Sequence, residues 1–407
     1  METVLLVVVV VFALGFDFTN GFHDTANAVA TSVSTRAVSP RLAVTIAAIA
    51  NLAGAFVTTA VAKTVGQGII DTGLANEKTI LAAVIGAITW NLITWWLGLP
   101  SSSSHALIGG LVGAAIANSG MAGVQWHGLV HNVAIPAVTA PVIAFAGGFL
   151  LLVAIYWIFV RVTPGFANRT FRLGQLGSGT WVAFTHGAND AQKTMGVIAL
   201  ALFESGHISH FYIPAFLAPT IAFGCAFVIL IAIYWIFQRV SVGAANRGFR
   251  LGQLVSGTFV AFTHGANDAQ KTMGVIALAL FANGSIDHFY IPTWVKIAAG
   301  VAIAAGTYVG GWRIMRTLGQ RLYKMEPAAG FSAQVSAGAV IDVATRLGYP
   351  LSTTHVISGA VLGAGSTKGF SAVRWGIAGN IVVAWFLTIP AAALVAAAFY
   401  WPVQGIF

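Results

Sequence analysis

Charge is what this chain has least of. Only 8% of its 407 residues are Asp, Glu, Lys or Arg, and 57% are hydrophobic. A soluble domain carries roughly 25% charged residues. That excludes a water-solvated fold, and the mean hydropathy of +0.84 fits an integral membrane protein. Acids are scarcer than bases: 11 Asp and Glu stand against 20 Lys and Arg, for a net charge of +9. Nucleic acid is not the expected partner of that excess. The arginines stand between apolar runs and not on one patch, and positive loops facing the cytoplasm account for them. The one cysteine, Cys225, lies inside an apolar run, so no disulfide can form within the chain. No basic region precedes Val4–Leu14, so the first apolar run reads as a span and not as a signal peptide. Metal-ligand spacing, a nucleophile elbow and an ATPase-type phosphate loop are also missing. Nothing points to ATP hydrolysis or to an enzyme.

Apolar runs of about 20 residues can each cross a bilayer. They occur near Val4–Ser32, Leu42–Ala62, Thr79–Leu97, Ile135–Phe159, Gly177–Phe203, Ile213–Phe237, Val255–Phe281, Thr293–Met315, Phe331–Leu347 and Val373–Trp401. Two further segments, opened by Pro100 and Pro350, are short and rich in Ser, Thr and Gly. Broken or re-entrant helices read this way, because non-helical backbone at depth must line a cavity. The expected fold is all-α and polytopic, with about 10–12 membrane segments. Basic clusters set its orientation. Arg161, Arg169 and Arg172, then Arg239, Arg247 and Arg250, then Arg313, Arg316, Arg321 and Lys324 mark cytoplasmic loops. The loops Ser119–Asn132, Glu204–Tyr212 and Ala282–Ile291 hold no Lys or Arg. With Arg36 and Arg41 also inside, the run carrying Asp24 goes inward and the run carrying Asp268 goes outward. Two antiparallel copies of one pattern form an inverted repeat.

A tandem repeat lies on top of the inverted one. Residues 155–214 match 233–292 at an offset of 78, with 49 of 60 identical. The unit holds two spans, so its insertion leaves everything downstream in the same orientation. The domain reading is therefore a first inverted repeat over 1–134, connecting spans with the duplicated unit over 135–254, and a second inverted repeat over 255–407.

The polar residues of the apolar runs fall into matched motifs. Asn20-Gly-Phe-His-Asp-Thr-Ala-Asn-Ala28 in the first run answers Thr263-His-Gly-Ala-Asn-Asp-Ala-Gln-Lys271 in a later one, and a near-identical copy of the latter lies at Phe184–Gly196. Laying Gly21 on Gly265 aligns Asp24 with Asp268. Asp24 lies 77 residues before Ser101, Asp268 lies 84 before Ser352, and Asp190 lies 162 before Ser352. Spacing therefore pairs Asn267 and Asp268, and not Asn189 and Asp190, with the second hydroxyl cluster. The earlier copy is left as extra bundle or a partial site. Ser101, Ser102, Ser103 and Ser104 follow Pro100; Ser352, Thr353 and Thr354 follow Pro350. Each cluster opens a helix whose free backbone N–H groups and positive dipole end suit an oxyanion. Two carboxylates beside an anion repel it unless a cation or proton neutralises them, which would couple cation to anion. The amides of Asn27 and Asn267 can serve either partner.

Each motif also has a plainer reading. A lone Ser/Thr cluster in an apolar run is commonly helix-packing glue; two clusters in mirrored positions after two Asp motifs favour a site. His105 and His355 recur at one place and suit either a structural hydrogen bond or proton handling. His23, His186 and His264 are similar. Lys193 and Lys271 read as counter-ions to the neighbouring Asp. Trp95 and Trp96 read as interfacial anchors.

At these motifs, together with Pro100-Ser-Ser-Ser-Ser-His105 and Tyr349-Pro-Leu-Ser-Thr-Thr-His355, the chain resembles the inorganic phosphate transporter (PiT) family of sodium- or proton-coupled symporters. The wording Gly21-Phe-His-Asp-Thr-Ala-Asn27 resembles the bacterial low-affinity members. The likeness covers nearly the whole chain apart from the extra unit. It implies two inverted repeats, each with a broken helix and a re-entrant hairpin, commonly assembled as a homodimer in the plasma (inner) membrane. It implies phosphate held by Ser101–Ser104, Asn267, Ser352, Thr353 and Thr354, and a coupling cation at Asp24, Asn27 and Asp268. Sodium or a proton would be the coupling ion. The His in the first motif inclines the reading to protons, with a divalent metal travelling as metal–phosphate. No other cofactor is expected. The rival readings are a sulfate-carrying relative, an uncoupled phosphate pore and an inactive membrane scaffold. The departure from the family pattern is the third Asp motif.

Overall fold

The computed structural model describes residues 2–159 and 242–407. The runs near Gly177–Phe203 and Ile213–Phe237, with Asn189 and Asp190, lie outside these residues. Packing divides the chain into one unit of Met1–Val153 with Gln253–Phe407 and another of Ala154–Gly252. The first unit carries everything below.

Among the described residues, twelve α-helices of five residues or more order the chain. The first half holds α1 (Glu2–Ser34), α2 (Pro40–Gly54), α3 (Ala60–Gln67), α4 (Glu77–Leu97), α5 (Ser103–Ser119) and α6 (Ile135–Phe159). The second holds α7 (Val242–Ala282), α8 (Thr293–Val309), α9 (Trp312–Arg316), α10 (Pro327–Arg346), α11 (Thr353–Ser366) and α12 (Trp375–Ile406). Among the described residues the only β pairing is a single bridge, Ile70 to Val124. Five helices there are long and apolar enough to cross a membrane, or six if α8 and α9, bent by 57° at their break, count as one span. Large apolar side chains such as Val138, Val142, Phe386 and Leu394 face outward, while Asp, Asn, His and Lys side chains lie inside. That inside-out pattern is what a hydrocarbon solvent selects. The protein is a multi-pass membrane protein.

The segments opened by Pro100 and Pro350 are the tips of two hairpins built alike, α4–α5 and α10–α11. Gly98 (φ +67) ends α4 and Gly348 (φ +78) follows α10, each in a left-handed conformation that suits glycine. The Leu99 and Tyr349 amides then donate to Thr94 and Ala344, both at 2.9 Å. Ser102 and Ser352 cap the next helices, accepting from the amides of His105 (3.1 Å) and His355 (3.2 Å). Pro100 through His105 and Pro350 through His355 are buried, so the non-helical backbone lies inside protein, as it must at that depth.

The helix breaks are not where the charged motifs are. α1 and α7 run unbroken through Asp24 and Asp268. The interruptions fall between α2 and α3, within the expected single run Leu42–Ala62, and between α8 and α9. The first break is bridged from outside: the Gln270 side-chain oxygen accepts from the Val61 amide at 2.9 Å and so caps α3.

Glycine crossings show the repeat in three dimensions. A Cβ at Gly54 of α2 would sit 2.0 Å from the Phe262 carbonyl oxygen of α7, and one at Gly306 of α8 would sit 2.0 Å from that of Phe18 of α1. Phe18 and Phe262 are themselves equivalent when Gly21 is laid on Gly265. In the same way Gly113 of α5 meets Ala393 of α12, and Gly363 of α11 meets Phe145 of α6. Backbone on backbone cannot yield as a flexible side chain would. Gly306→Val is therefore expected to cost at least about 3 kcal/mol, the upper end of ordinary overpacking. A lower unfolding midpoint in detergent would show it; an unchanged midpoint would refute so close a crossing.

Candidate functional site

α1 presents one buried polar stripe. Asp17, Asn20, Asp24 and Asn27 are spaced by three or four residues and share a helical face. α7 answers with His264, Asp268 and Lys271, which are equally buried. The four-residue and three-residue spacings again put all three on one side. Glycines 21 and 265 let α8 and α2 come close behind these stripes.

The centre is where the stripes meet. His264 Nε2 lies 3.0 Å from Asp268 Oδ2 and 3.9 Å from Asp24 Oδ2. One ligand atom from each of Asp24, His264 and Asp268 falls within 4.8 Å of the others. The ring is oriented from behind. Asn51 Nδ2 donates to Thr307 Oγ at 2.7 Å, which leaves Asn51 Oδ1 to face His264 Nδ1 at 3.2 Å. Nδ1 therefore carries a proton, and Nε2 points at the two carboxylates as a lone pair or as a charged N–H.

Each carboxylate has its own shell. Lys271 Nζ donates to Asp268 Oδ1 and to Ser104 Oγ, and to the Leu351 carbonyl at 3.2 Å. Ser104 Oγ donates to that same carbonyl at 2.9 Å. On the other side Asp24 Oδ1 accepts from His23 Nδ1 at 2.8 Å and from Thr354 Oγ at 3.3 Å. Asn27 Nδ2 reaches Thr354 Oγ at 2.9 Å and Thr353 Oγ at 3.4 Å. The exchange is reciprocal. A side chain of the first repeat holds the hairpin helix of the second, and a side chain of the second holds that of the first.

Structure thus brings together Asp24, Asn27, Asp268, Ser104, Thr353 and Thr354. Ser101 joins through Thr94 (2.8 Å) and His23 (3.4 Å), and Ser103 lies 3.4 Å from His23. Ser102 and Ser352 spend their side-chain oxygens capping their own helices. Asn267, next to Asp268 on α7, has a defined polarity. Its amide nitrogen donates to Thr345 Oγ (2.9 Å) and to the Tyr349 carbonyl (3.1 Å). A carbonyl can only accept, so Asn267 turns its oxygen, not its N–H groups, to the remaining space. His105 and His355 pack edge to face with ring centroids 4.6 Å apart, and His355 stacks on Trp385 at 4.1 Å.

Sequence reasoning passed over Asp17 and Asn51 and left the role of His264 open. Asp17 is fully buried with neither oxygen hydrogen-bonded among the described residues, and Asn20 is in the same state one turn on; Thr272 of α7 faces Asp17. An acid inside an apolar run was signal enough to name it. His264 was grouped with other histidines, and Asn51 sits among alanines with nothing to mark it. No local spacing announces the Asp24–His264–Asp268 cluster, because its members come from two helices.

Comparisons with known proteins agree with this architecture. The profile of the phosphate transporter family matches residues 20–230 and 203–396. Proteins named as probable low-affinity inorganic phosphate transporters are similar over nearly the whole chain. The one from Mycobacterium bovis is 42% identical, covering 98% of this chain and 78% of its own length. That from Rhizobium meliloti is 40% identical, covering 97% and 96%, and that from Bacillus subtilis 36%, covering 99% and 98%. A solved structure titled "The sodium-dependent phosphate transporter" superposes with a TM-score of 0.78 at 25% identity, covering 99% of this chain and all of that one (100%). These are transporters and not enzymes, and with two buried Asp motifs braced against two hairpin tips this chain belongs to the phosphate transporter family.

Proposed function

We propose that the chain imports inorganic phosphate across the plasma membrane by symport with a cation, through alternating access, and that it works as a homodimer. The observation that carries the reading is the reciprocal bracing of the two hairpins, Asn27 on Thr354 and Lys271 on Ser104. A site shared this way changes only if the two halves move against one another. Cation binding beside Asp24 and Asp268 lowers the cost of admitting an anion, and the loaded, near-neutral site is the one that can change sides. Phosphate oxygens would take donors from the hydroxyls of Ser102, Ser103, Ser352 and Thr353 and the N–H groups of α5 and α11, since Ser104 and Thr354 already donate theirs to the Leu351 carbonyl and to Asp24. The free oxygens of Asn27 and Asn267 suit the cation.

The proton is the coupling ion we favour, because His23 and His264 lie on the two carboxylates; sodium is the rival. Asp24, His264 and Asp268 would also serve a divalent metal travelling as cargo with phosphate. The test is radiolabelled phosphate uptake into proteoliposomes with proton and sodium gradients imposed separately and sulfate as competitor. Accumulation above equilibrium under a gradient is expected. Uptake that only equilibrates would replace the symporter with a pore, and no uptake from folded protein would leave a scaffold.

A further inference from the structure

We propose that Lys271 is a built-in cation: its ammonium fills one of two repeat-related cation positions, and the protein therefore exchanges one coupling cation fewer than its architecture has places for. This rests on the symport reading above.

The contacts of the ammonium are those of an ion, not of a surface lysine. Lys271 is 1% exposed. Its Nζ meets a carboxylate oxygen of Asp268, a hydroxyl of Ser104 and a backbone carbonyl of Leu351. These come from three separate stretches, α7 and the two hairpin tips. A carboxylate, a hydroxyl and a carbonyl converging from different elements are what an oxygen-seeking cation such as sodium requires. Two of these three groups, the carboxylate and the hydroxyl, recur in the other repeat without a lysine. Aligning Asp24 with Asp268 places Asn27 opposite Lys271; aligning Pro100 with Pro350 places Thr354 opposite Ser104. Asp24 and Thr354 are in contact at 3.3 Å, as the matching pair is bridged on the other side. What stands at the lysine's place is a neutral amide, and its Oδ1 has no hydrogen-bond partner among the described residues. One carboxylate thus carries its positive charge on the chain. The other has the two imidazoles of His23 and His264, at 2.8 and 3.9 Å, and the Thr354 hydroxyl at 3.3 Å but no lysine, and takes its cation from solution.

Charge makes the difference functional. A phosphate brought next to two bare carboxylates needs one more cation to reach a given net charge than a phosphate beside Asp24 and a permanently paired Asp268. Fixing one cation also frees transport from the second ion's concentration and lowers the number of charges moved per cycle.

The experiment is Lys271→Asn, which makes the second repeat match Asn27, compared with the wild type in proteoliposomes and in detergent. Wild-type uptake driven by a proton gradient should be indifferent to sodium. The K271N variant should be slow in sodium-free buffer and recover on adding sodium, by about ten- to hundredfold, the usual range for coupling between two bound ligands. Sodium should also raise its thermal midpoint, and should not raise that of the wild type. Lys271→Arg keeps the charge and should stay indifferent to sodium even if slower. A folded K271N protein that neither binds nor responds to sodium overturns the proposal, as does one that sodium stabilises no more than it stabilises the wild type. If no gradient drives the wild type, the symport reading falls instead, and the sodium-dependent midpoint of K271N still decides the role of the lysine. Should K271N not fold, Lys271→Gln carries the same readout.

Discussion

Asp268→Asn is expected to abolish gradient-driven phosphate uptake, a loss of at least about hundredfold, equivalent to some 2.7 kcal/mol in the barrier. The change removes one oxygen's worth of charge and almost no volume. Asp268 is the partner of Lys271 through Oδ1 and of His264 through Oδ2. Without its charge, the ammonium of Lys271 keeps only a hydroxyl and a carbonyl. An uncompensated buried charge costs about 3–5 kcal/mol, so Lys271 would deprotonate or leave, and Ser104 would lose its brace. The hairpin α4–α5 would then be released from the second repeat. The same substitution at Asp190 is expected to be mild, because Asp190 precedes Ser352 by 162 residues in sequence, nearly twice the 84 of Asp268. Uptake measured for both variants, with a monodisperse elution profile as the folding control, checks the pair. Equal losses would mean that the earlier copy shares the site.

The site was legible to the extent that its chemistry repeats. Asp24 and Asp268 stood out because each interrupts an apolar run at the same place in a repeated phrase, and the hydroxyl clusters because both follow a proline. Helical periodicity would also have added Asp17, which shares the face of Asn20, Asp24 and Asn27. What a linear pattern cannot carry is reciprocity. Nothing local says that Asn27 holds Thr354 or that Lys271 holds Ser104; those contacts depend on two halves crossing. The polarity of Asn267 was hidden for the same reason, since the acceptor that orients it is the Tyr349 carbonyl. The break inside Leu42–Ala62 was not legible, because polarity is not flexibility. A helix satisfies its own backbone wherever its side chains point, so α1 and α7 cross their charged motifs without a gap. α2 ends instead at Ala55–Thr59, where Gly54 meets α7 and Gln270 caps the following turn.

Asp24→Asn should separate two activities that Asp268→Asn destroys together. The isosteric amide can still accept from Thr354 and His23, so the packing of α1 on α11 is retained. What it loses is the one carboxylate with no lysine on it. Such a site is fixed in the charge state that a bound cation would otherwise create. Phosphate should then bind without the cation, and labelled phosphate should exchange across the membrane against unlabelled phosphate at near the wild-type rate. Accumulation from a cation gradient should vanish, because a cation shifts the equilibrium only through its different affinity for the states, and that difference has been removed. Counterflow and gradient-driven uptake, measured on the same proteoliposomes, read the two activities separately. Loss of both would make Asp24 a phosphate ligand or a structural acid; retention of both would move the coupling elsewhere, to Asp17 first. The contrast between the two variants follows from one asymmetry. Asp268 neutralises a cation that never leaves, so removing its charge breaks the scaffold. On the proposed symport, Asp24 neutralises a cation that comes and goes, so removing its charge breaks only the coupling.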